Sequence, residues 1–123
     1  MIPKVIYQTW KTQNIHKKIH KLHNNMLKTN PEYQHVIYTD DQMFDFVKSN
    51  YDKNIFKYFE RINNIVSRAD FWRYLILYKN GGVYLDIDSI IDGKLSDILD
   101  KNDDALITAE KNENCFVQWS LIF

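Results

Sequence analysis

Apolar and polar residues along this chain form patterns that predict strands and helices in alternation. Short runs typical of strands lie at residues 5–7, 33–38 and 83–88, and helical spacing of apolar residues covers 15–27, the region around 44–47, 55–62 and 65–79. Residues 105–109 and 116–123 are candidates for two further strands. Strands that alternate with helices predict an α/β domain with a mostly parallel sheet flanked by helices.

Several residues mark where the predicted helices begin, end and face the core. Thr39 and Gln42 have the spacing of a capping box, and the Asn80-Gly81-Gly82 segment is a typical helix stop. The helix predicted at 65–79 carries a stripe of residues spaced four, three and four apart, which predicts that one side of the helix is buried: Ile65, Ala69, Trp72 and Ile76.

Composition narrows the class of protein. The length of 123 residues predicts one domain, and equal numbers of acidic and basic residues give a net charge of +0, which argues against nucleic acid as a partner. Cys115 is the single cysteine, so neither an internal disulfide nor a cysteine zinc site is expected. We find no apolar run of about 18 residues and no signal peptide, and we therefore expect a cytoplasmic protein without a transmembrane segment.

The strand predicted at 83–88 carries the most informative chemistry. Strand alternation places Tyr84, Asp86 and Asp88 on one face, so that two carboxylates project together and repel each other. A divalent cation would relieve that repulsion, and carboxylate oxygens suit Mn²⁺ or Mg²⁺. The simpler alternative is a strand that ends in a solvated acidic turn.

Asp70 and Arg73 lie one turn apart on the preceding predicted helix, on a different face from its apolar stripe. They could bind a ligand at the same strand ends. The alternatives are a surface ion pair, or a capping box in which Asp70 pairs with Ser67.

Three histidines share one face of the predicted helix at 15–27. His16, His20 and His23 fall at positions i, i+4 and i+7, a spacing at which a transition metal could bind. No cysteine or carboxylate completes the set and lysines flank it, so a solvated helix face is the favoured interpretation.

Residues 67–88 resemble the sugar-binding region of glycosyltransferases that carry a D-x-D motif. The pattern Asp-x-x-Arg-Tyr-x-x-Leu-x-x-x-Gly-Gly-x-Tyr-x-Asp-x-Asp is matched throughout from Asp70 to Asp88. More narrowly, the chain resembles glycosyltransferase family 32, which includes fungal α-1,6-mannosyltransferases, and more distantly the clostridial glucosylating toxins. Residues 2–10 are similar to the Ile-Pro-Lys-x-Ile-His-Gln-x-Trp opening of that family, with Tyr7 where histidine is usual.

The resemblance extends from Ile2 to about Asp92, more loosely to Glu110, and implies a GT-A fold with a Rossmann-like sheet. Residues 1–123 would form a single domain that holds the donor-binding portion and is truncated after the D-x-D region, without the acceptor part. It also implies a metal-dependent hexosyltransferase (mannosyl-, galactosyl- or glucosyltransferase) that uses a nucleotide-diphosphate sugar and retains configuration. The acceptor would be a glycan, a lipid or a protein.

The resemblance also implies roles for individual residues. Asp88 would be the direct metal ligand, and Asp86 would contact the ribose and sugar of the donor and reach the metal through water. Arg73 would act with these two aspartates as a catalytic residue. Asp70 and Arg73 would bind the transferred sugar and the phosphate side of the donor. Trp10 would lie against the nucleobase, with Tyr84 lining the same pocket.

Two other functions remain open. Haloacid-dehalogenase-like phosphatases also place Asp-x-Asp after an apolar strand, although they require neither the helix with Asp70 and Arg73 nor the Trp10 segment. A donor-binding remnant would bind metal and nucleotide sugar and transfer nothing. The apolar run at 116–123 is expected to form an exposed edge strand through which the chain could form homo-oligomers.

Overall fold

In the computed structural model, residues 1–111 and 114–123 are described, and they form a five-stranded sheet flanked by helices. The elements in chain order are β1 Val5–Thr9, α1 Lys17–Thr29, β2 Gln34–Tyr38, α2 Asp40–Asn50, α3 Lys53–Arg61, α4 Ile65–Asn80, β3 Val83–Leu85, a 3-10 turn Leu95–Asp97, β4 Leu106–Ala109 and β5 Phe116–Ile122. The predicted α/β class and its alternation of strands and helices are confirmed. No helix in the described ranges is long and apolar enough to cross a membrane.

The sheet has the strand order β2-β1-β3-β5-β4 and is mixed. Strand β1 pairs in parallel with β2 and β3, as predicted, whereas β5 is antiparallel to both β3 and β4. The expectation of a mostly parallel sheet therefore holds for three strands only. The connection from Glu110 to Cys115 is too short for a parallel crossover, so β4 and β5 can pair only as antiparallel neighbours.

Strand β5 is an interior strand, and the prediction of an exposed C-terminal edge at 116–123 is wrong. Its backbone pairs with β3 on one side, where Tyr84 aligns with Leu121, and with β4 on the other. Because β5 has a paired strand on each side, it is not an edge strand to which a second copy of the chain could add. The edges of this sheet are β2 and β4.

The sheet separates two cores, and strand alternation assigns residues to them. Aligned Tyr7, Tyr84 and Leu121 face one side, where they pack with residues of α2, α3 and α4, including Met43, Val47, Phe59, Trp72 and Ile76. Aligned Ile6, Val83 and Ile122 face the other side, where they pack with Ile2, Met26, Tyr33, Leu85 and Leu95. Tyr7, at the position where the family opening has histidine, is thus a core residue.

The helix ends are fixed largely by side chains that the sequence identifies. The capping box of Thr39 and Gln42 at the start of α2 is confirmed. Helix α4 begins one residue after Asn64, whose side chain accepts from the Val66 backbone N–H, so a capping box between Ser67 and Asp70 is wrong. The predicted stripe is buried at Trp72 and Ile76, whereas Ile65 is exposed.

Two glycines set the close approach of α4, β1 and β3. Gly81 and Gly82 both have positive φ, at 64° and 106°. A Cβ at Gly82 would lie 2.8 Å from the carbonyl oxygen of Val5. The absence of a side chain there allows the chain to leave α4 and enter β3 directly beside β1.

Candidate functional site

A cavity of about 410 Å³ opens at the carboxyl ends of the parallel strands β1 and β3, beside the first half of α4. Ligands of open α/β sheets commonly bind at such strand ends. All six of the predicted site residues line this cavity: Trp10, Asp70, Arg73, Tyr84, Asp86 and Asp88. The structure therefore brings together residues that follow β1, lie on α4, and lie on or just after β3, up to 78 positions apart in the chain.

The two motif aspartates lie on a turn rather than on a strand. Strand β3 ends at Leu85, and the Ser89 N–H donates to the Asp86 carbonyl at 2.9 Å, so residues 86–89 form a tight turn. The predicted strand to Asp88 is thus too long by three residues. Asp86 is half-buried and Asp88 is exposed, and within the described ranges no residue donates a hydrogen bond to the Asp88 carboxylate.

Arg73 lies at the centre of the site. It is 6% exposed, and its guanidinium donates to the Asp70 carboxylate and to the Gln118 carbonyl on β5. The same guanidinium lies 3.5 Å from the Asp86 carboxylate and packs over the Tyr84 ring, 4.9 Å from its centroid. Since Arg73 is buried while the Asp70 side chain is exposed, the pair lies only partly at the surface.

Tyr84 and Asp86 form a second contact of the site. Burial raises the pKa of the Tyr84 hydroxyl to about 12, so this group is protonated at neutral pH and donates to the Asp86 carboxylate at 3.0 Å. Burial also raises the pKa of Asp86, while the hydrogen bond from Tyr84 and the charge of Arg73 oppose that rise. Asp86 is therefore oriented by two protein groups, whereas Asp88 is available to a ligand.

Trp10 forms one wall of the cavity immediately after β1. Its backbone N–H donates to the Tyr38 carbonyl at 3.0 Å, which continues the pairing of β1 with β2 past the strand end. Its half-exposed ring has the Lys11 ammonium 5.9 Å from the centroid. A planar, partly exposed ring fixed in this way offers a stacking surface for an aromatic base.

The charges that line the cavity do not balance. Four carboxylates and two cationic side chains line it: Asp40, Asp70, Asp86 and Asp88, with Lys11 and Arg73. Across the described ranges, no group of three or more histidine, cysteine or acidic side chains is arranged as a complete metal site. Asp86 and Asp88 could hold a hard cation only with further oxygens from water or a ligand.

Three polar residues lie beneath the turn, and the sequence did not predict that any of them contacts it. Gln8 and His23 are buried and His35 is half-buried, and all three belong to a hydrogen-bonded network that reaches the backbone of residues 86–89. Gln8 follows two apolar residues on β1 and shares a strand face with Ile6. A polar residue on the core face of a strand was the signal that could have identified it.

The favoured interpretation of the helix histidines is wrong for His23. His16 caps α1 by accepting from the Lys18 N–H, and His20 is exposed. His23 instead packs inward with its ring edge against His35, 5.1 Å between centroids, because α1 lies on the sheet along that side.

Comparison with known proteins agrees with this geometry. The family described as "Glycosyltransferase sugar-binding region containing DXD motif" matches residues 7–105. The chain belongs to this glycosyltransferase family. The matched residues include the end of β1, all of α4 and β3, and the turn with both motif aspartates, so the residues that line the cavity lie in the part that defines the family.

Individual members of the family are similar over most of this chain. "Inositol phosphoceramide mannosyltransferase 3" of Schizosaccharomyces pombe is 42% identical over 87 residues, which are 71% of this chain and 24% of that protein. An uncharacterized glycosyltransferase of Acanthamoeba polyphaga mimivirus is 31% identical over 121 residues, 97% of this chain and 47% of that one. The chain thus spans about a quarter of the length of the first of these relatives and about half of the second.

A solved structure shares the fold. "PaToxG Glycosyltransferase" superposes with a TM-score of 0.57 at 25% sequence identity, covering 76% of this chain and 45% of that chain. The predicted glycosyltransferase fold is therefore confirmed.

Proposed function

We propose that this chain binds a nucleotide-diphosphate sugar together with Mn²⁺ or Mg²⁺, and that it forms the donor-binding part of a retaining hexosyltransferase. Residues 1–123 would act as one GT-A domain. The proposal rests on family membership and on one observation, the excess of carboxylates over cationic side chains in a cavity that also contains a buried arginine.

The charge excess favours a metal-bound anion over a free one. The diphosphate of a nucleotide sugar is itself negatively charged, so it would be repelled by a cavity with four carboxylates and two cations. A divalent cation between the carboxylates and the diphosphate removes that repulsion. This balance is the reason to prefer a metal-dependent donor site to a site for a simple anion.

Asp88 and Asp86 are suited to hold the metal. Mg²⁺ and similar ions are usually bound by one or two carboxylates, several waters and the phosphates of a substrate, so two aspartates are sufficient. Asp88 is exposed and would bind directly, while Asp86, oriented by Tyr84 and Arg73, would reach the metal through water and contact the donor ribose and sugar. When bound, the cation supplies Lewis-acid stabilisation of the leaving diphosphate.

Arg73 would stabilise the same leaving group. As the bond between the sugar and the diphosphate breaks, negative charge grows on the diphosphate oxygens, and a buried guanidinium stabilises it without reorganisation. We propose that the leaving diphosphate accepts the proton of the acceptor hydroxyl while that oxygen forms the new bond to the sugar. This route needs no general base from the protein.

The remaining donor contacts follow from position. Trp10 would stack on the nucleobase, Asp70 would bind the transferred sugar and Tyr84 would line the pocket beneath Arg73. Because several similar proteins are named as mannosyltransferases, we propose mannose as the first sugar to test. The acceptor would be a glycan, a lipid or a protein.

The test is a panel of nucleotide sugars that includes GDP-mannose, UDP-glucose and UDP-galactose, each with Mn²⁺ and with excess chelator. We expect one donor to bind with Mn²⁺ only and to release its nucleoside diphosphate slowly. Binding without release over long incubation would instead support a donor-binding module that transfers nothing. Cleavage of a generic phosphoester with no binding of any nucleotide sugar would contradict the proposal and favour the phosphatase alternative.

A further inference from the structure

Side chains from β1 and α1 hold the backbone of the D-x-D turn from below. The Gln8 carboxamide donates from Nε2 to the Asp86 carbonyl at 2.9 Å and to the Ser89 carbonyl at 3.3 Å. His23 Nε2 lies 2.8 Å from the Ile87 carbonyl between them. Three carbonyls of residues 86–89 are thus bound by two buried side chains from other elements.

The contacts fix the orientation of each group in this network. Carbonyl oxygens only accept, so the NH₂ of Gln8 must face the turn and its Oε1 must face away. His35 Nε2 lies 2.7 Å from that Oε1 and must therefore donate to it. The same reasoning requires that His23 donates from Nε2 to Ile87.

The turn needs this support because it has left the sheet. Strand β3 ends at Leu85, so the carbonyls that follow lack strand partners, and buried carbonyls without a donor are strongly disfavoured. The Gln8 carboxamide binds both the first and the last residue of the turn, Asp86 and Ser89. The same two residues are also joined by the hydrogen bond from the Ser89 N–H to the Asp86 carbonyl. Asp88 lies between these fixed points, so its position depends mainly on its own side-chain torsions.

We propose that Gln8 is a positioning residue for the D-x-D turn and that His35 acts through it by fixing the orientation of its carboxamide. Neither residue lines the cavity, so neither would touch the donor. Their effect on binding would be transmitted through the backbone that carries Asp86 and Asp88. The expected effect on donor binding rests on the proposed function. The expected effect on the order of the turn backbone rests on the hydrogen bonds alone.

The test compares variants of Gln8 and His35 with a matched control. Gln8→Leu removes the two hydrogen bonds that Gln8 donates to the turn. His35→Asn keeps an amide that is too short to reach Gln8, whereas His35→Gln can place a donor where Nε2 lies. Asn30→Leu is the control, because Asn30 is an equally buried amide that holds the backbone at Gly93 and Leu95, downstream of the turn.

Two measurements separate positioning from general stability. Calorimetric titration with Mn²⁺ and UDP, and with Mn²⁺ and GDP, gives the affinity, and amide hydrogen exchange of Ser89 in the free protein reports the turn. We expect Gln8→Leu and His35→Asn to weaken binding about tenfold or more and to speed Ser89 exchange about tenfold, as loss of outer contacts of a metal site does. For His35→Gln and Asn30→Leu, both the affinity and the rate of Ser89 exchange should stay within about threefold of the parent protein.

The exchange measurement decides the inference even if no nucleotide binds. In that case the proposed function fails. Faster amide exchange of Ser89 in His35→Asn, but not in His35→Gln, would still support the proposal that His35 and Gln8 position the turn. Equal changes in His35→Asn, His35→Gln and Asn30→Leu, or unchanged Ser89 exchange in Gln8→Leu, would overturn it. If Gln8→Leu does not fold, the two His35 variants carry the same comparison.

Discussion

Arg73 Nη2 lies 3.5 Å from the Asp86 carboxylate and so links helix α4 to the turn that follows β3. Because the arginine is buried and the aspartate is half-buried, their attraction is only partly screened by water. This contact joins the two halves of the family motif, which lie on different elements. It makes the stability of the fold depend on a charge pair that also forms the site.

Replacing Arg73 tests how far the pair is coupled. Arg73→Met should lower the free energy of unfolding by about 2–4 kcal/mol, because it leaves Asp86 partly buried without its cation. In the double variant Arg73→Met with Asp86→Asn the additional loss should be small, giving a coupling of about 1 kcal/mol or more. Urea unfolding of the two single variants and the double variant measures it, and strict additivity would show that the contact does not contribute.

Tyr84→Phe isolates the hydrogen bond to Asp86. The Tyr84 hydroxyl opposes the rise in the Asp86 pKa that burial causes, so its removal should raise the pKa of Asp86 further. The ring remains, and we expect the free energy of unfolding to fall by about 1 kcal/mol. A carboxyl NMR titration of the parent protein and the variant measures the shift. An Asp86 pKa that stays the same or falls would contradict the contact.

Two glycines with nearly the same backbone angle provide a matched comparison. Gly82 has φ 106° and its Cβ position is 2.8 Å from the Val5 carbonyl, whereas Gly93 has φ 105° and nothing within 4 Å. Gly93→Ala should cost about 1–2 kcal/mol from backbone strain alone. Gly82→Ala should cost at least about 1 kcal/mol more, because β1 must move. Thermal unfolding compares them, and equal losses would mean that the close approach to β1 is unimportant.

Buried His23 and half-buried His35 predict a loss of stability in mild acid. Burial lowers the pKa of His35 from 6.5 to about 4, with smaller contributions from His23 and His20, and burial also lowers the pKa of His23. Between pH 6.5 and 4 the unfolded chain therefore binds more protons than the folded protein, so the free energy of unfolding falls as the pH falls through this window.

The midpoint of urea unfolding at several values between pH 7.5 and 4.5 measures that slope. His35→Gln removes the titrating group and keeps a donor toward Gln8, so its slope should be shallower than that of the parent protein. The raised pKa of Asp86 acts in the opposite direction toward the acidic end and is common to both proteins. Identical slopes would show that His35 does not contribute to the acid sensitivity.

Local signals predicted most of the elements that form the site. The capping box at Thr39, the glycine stop at Gly81 and the apolar runs of β1 and β3 depend on neighbouring residues, and all appear in the structure. Four of the charged residues that line the cavity were identified because the motif places Asp70 and Arg73 one turn apart and Asp86 and Asp88 two residues apart, whereas Lys11 and Asp40 were not.

Long-range contacts account for what the sequence did not predict. Strand β5 inserts between β3 and β4, and no local pattern indicates which neighbours a strand selects. Gln8 contacts Asp86 across 78 residues, so its role depends on a register visible only in the folded sheet. Ile65 continues a helical stripe, yet it is exposed because it lines the open cavity instead of packing in the core.

The central claim is that Asp88 holds a divalent cation against a nucleotide-diphosphate donor. Asp88→Asn removes one of two neighbouring carboxylates and should leave the fold intact. Asp92→Asn is the control, since Asp92 is an exposed carboxylate four residues further on that does not line the cavity.

Calorimetric titration of GDP-mannose and of the UDP-sugars, with Mn²⁺ and with chelator, is the most direct measurement. We predict that the parent protein and Asp92→Asn bind one donor only when Mn²⁺ is present, and that Asp88→Asn loses this binding while its unfolding curve stays unchanged. Binding by Asp88→Asn with the same Mn²⁺ requirement as the parent protein would contradict the account.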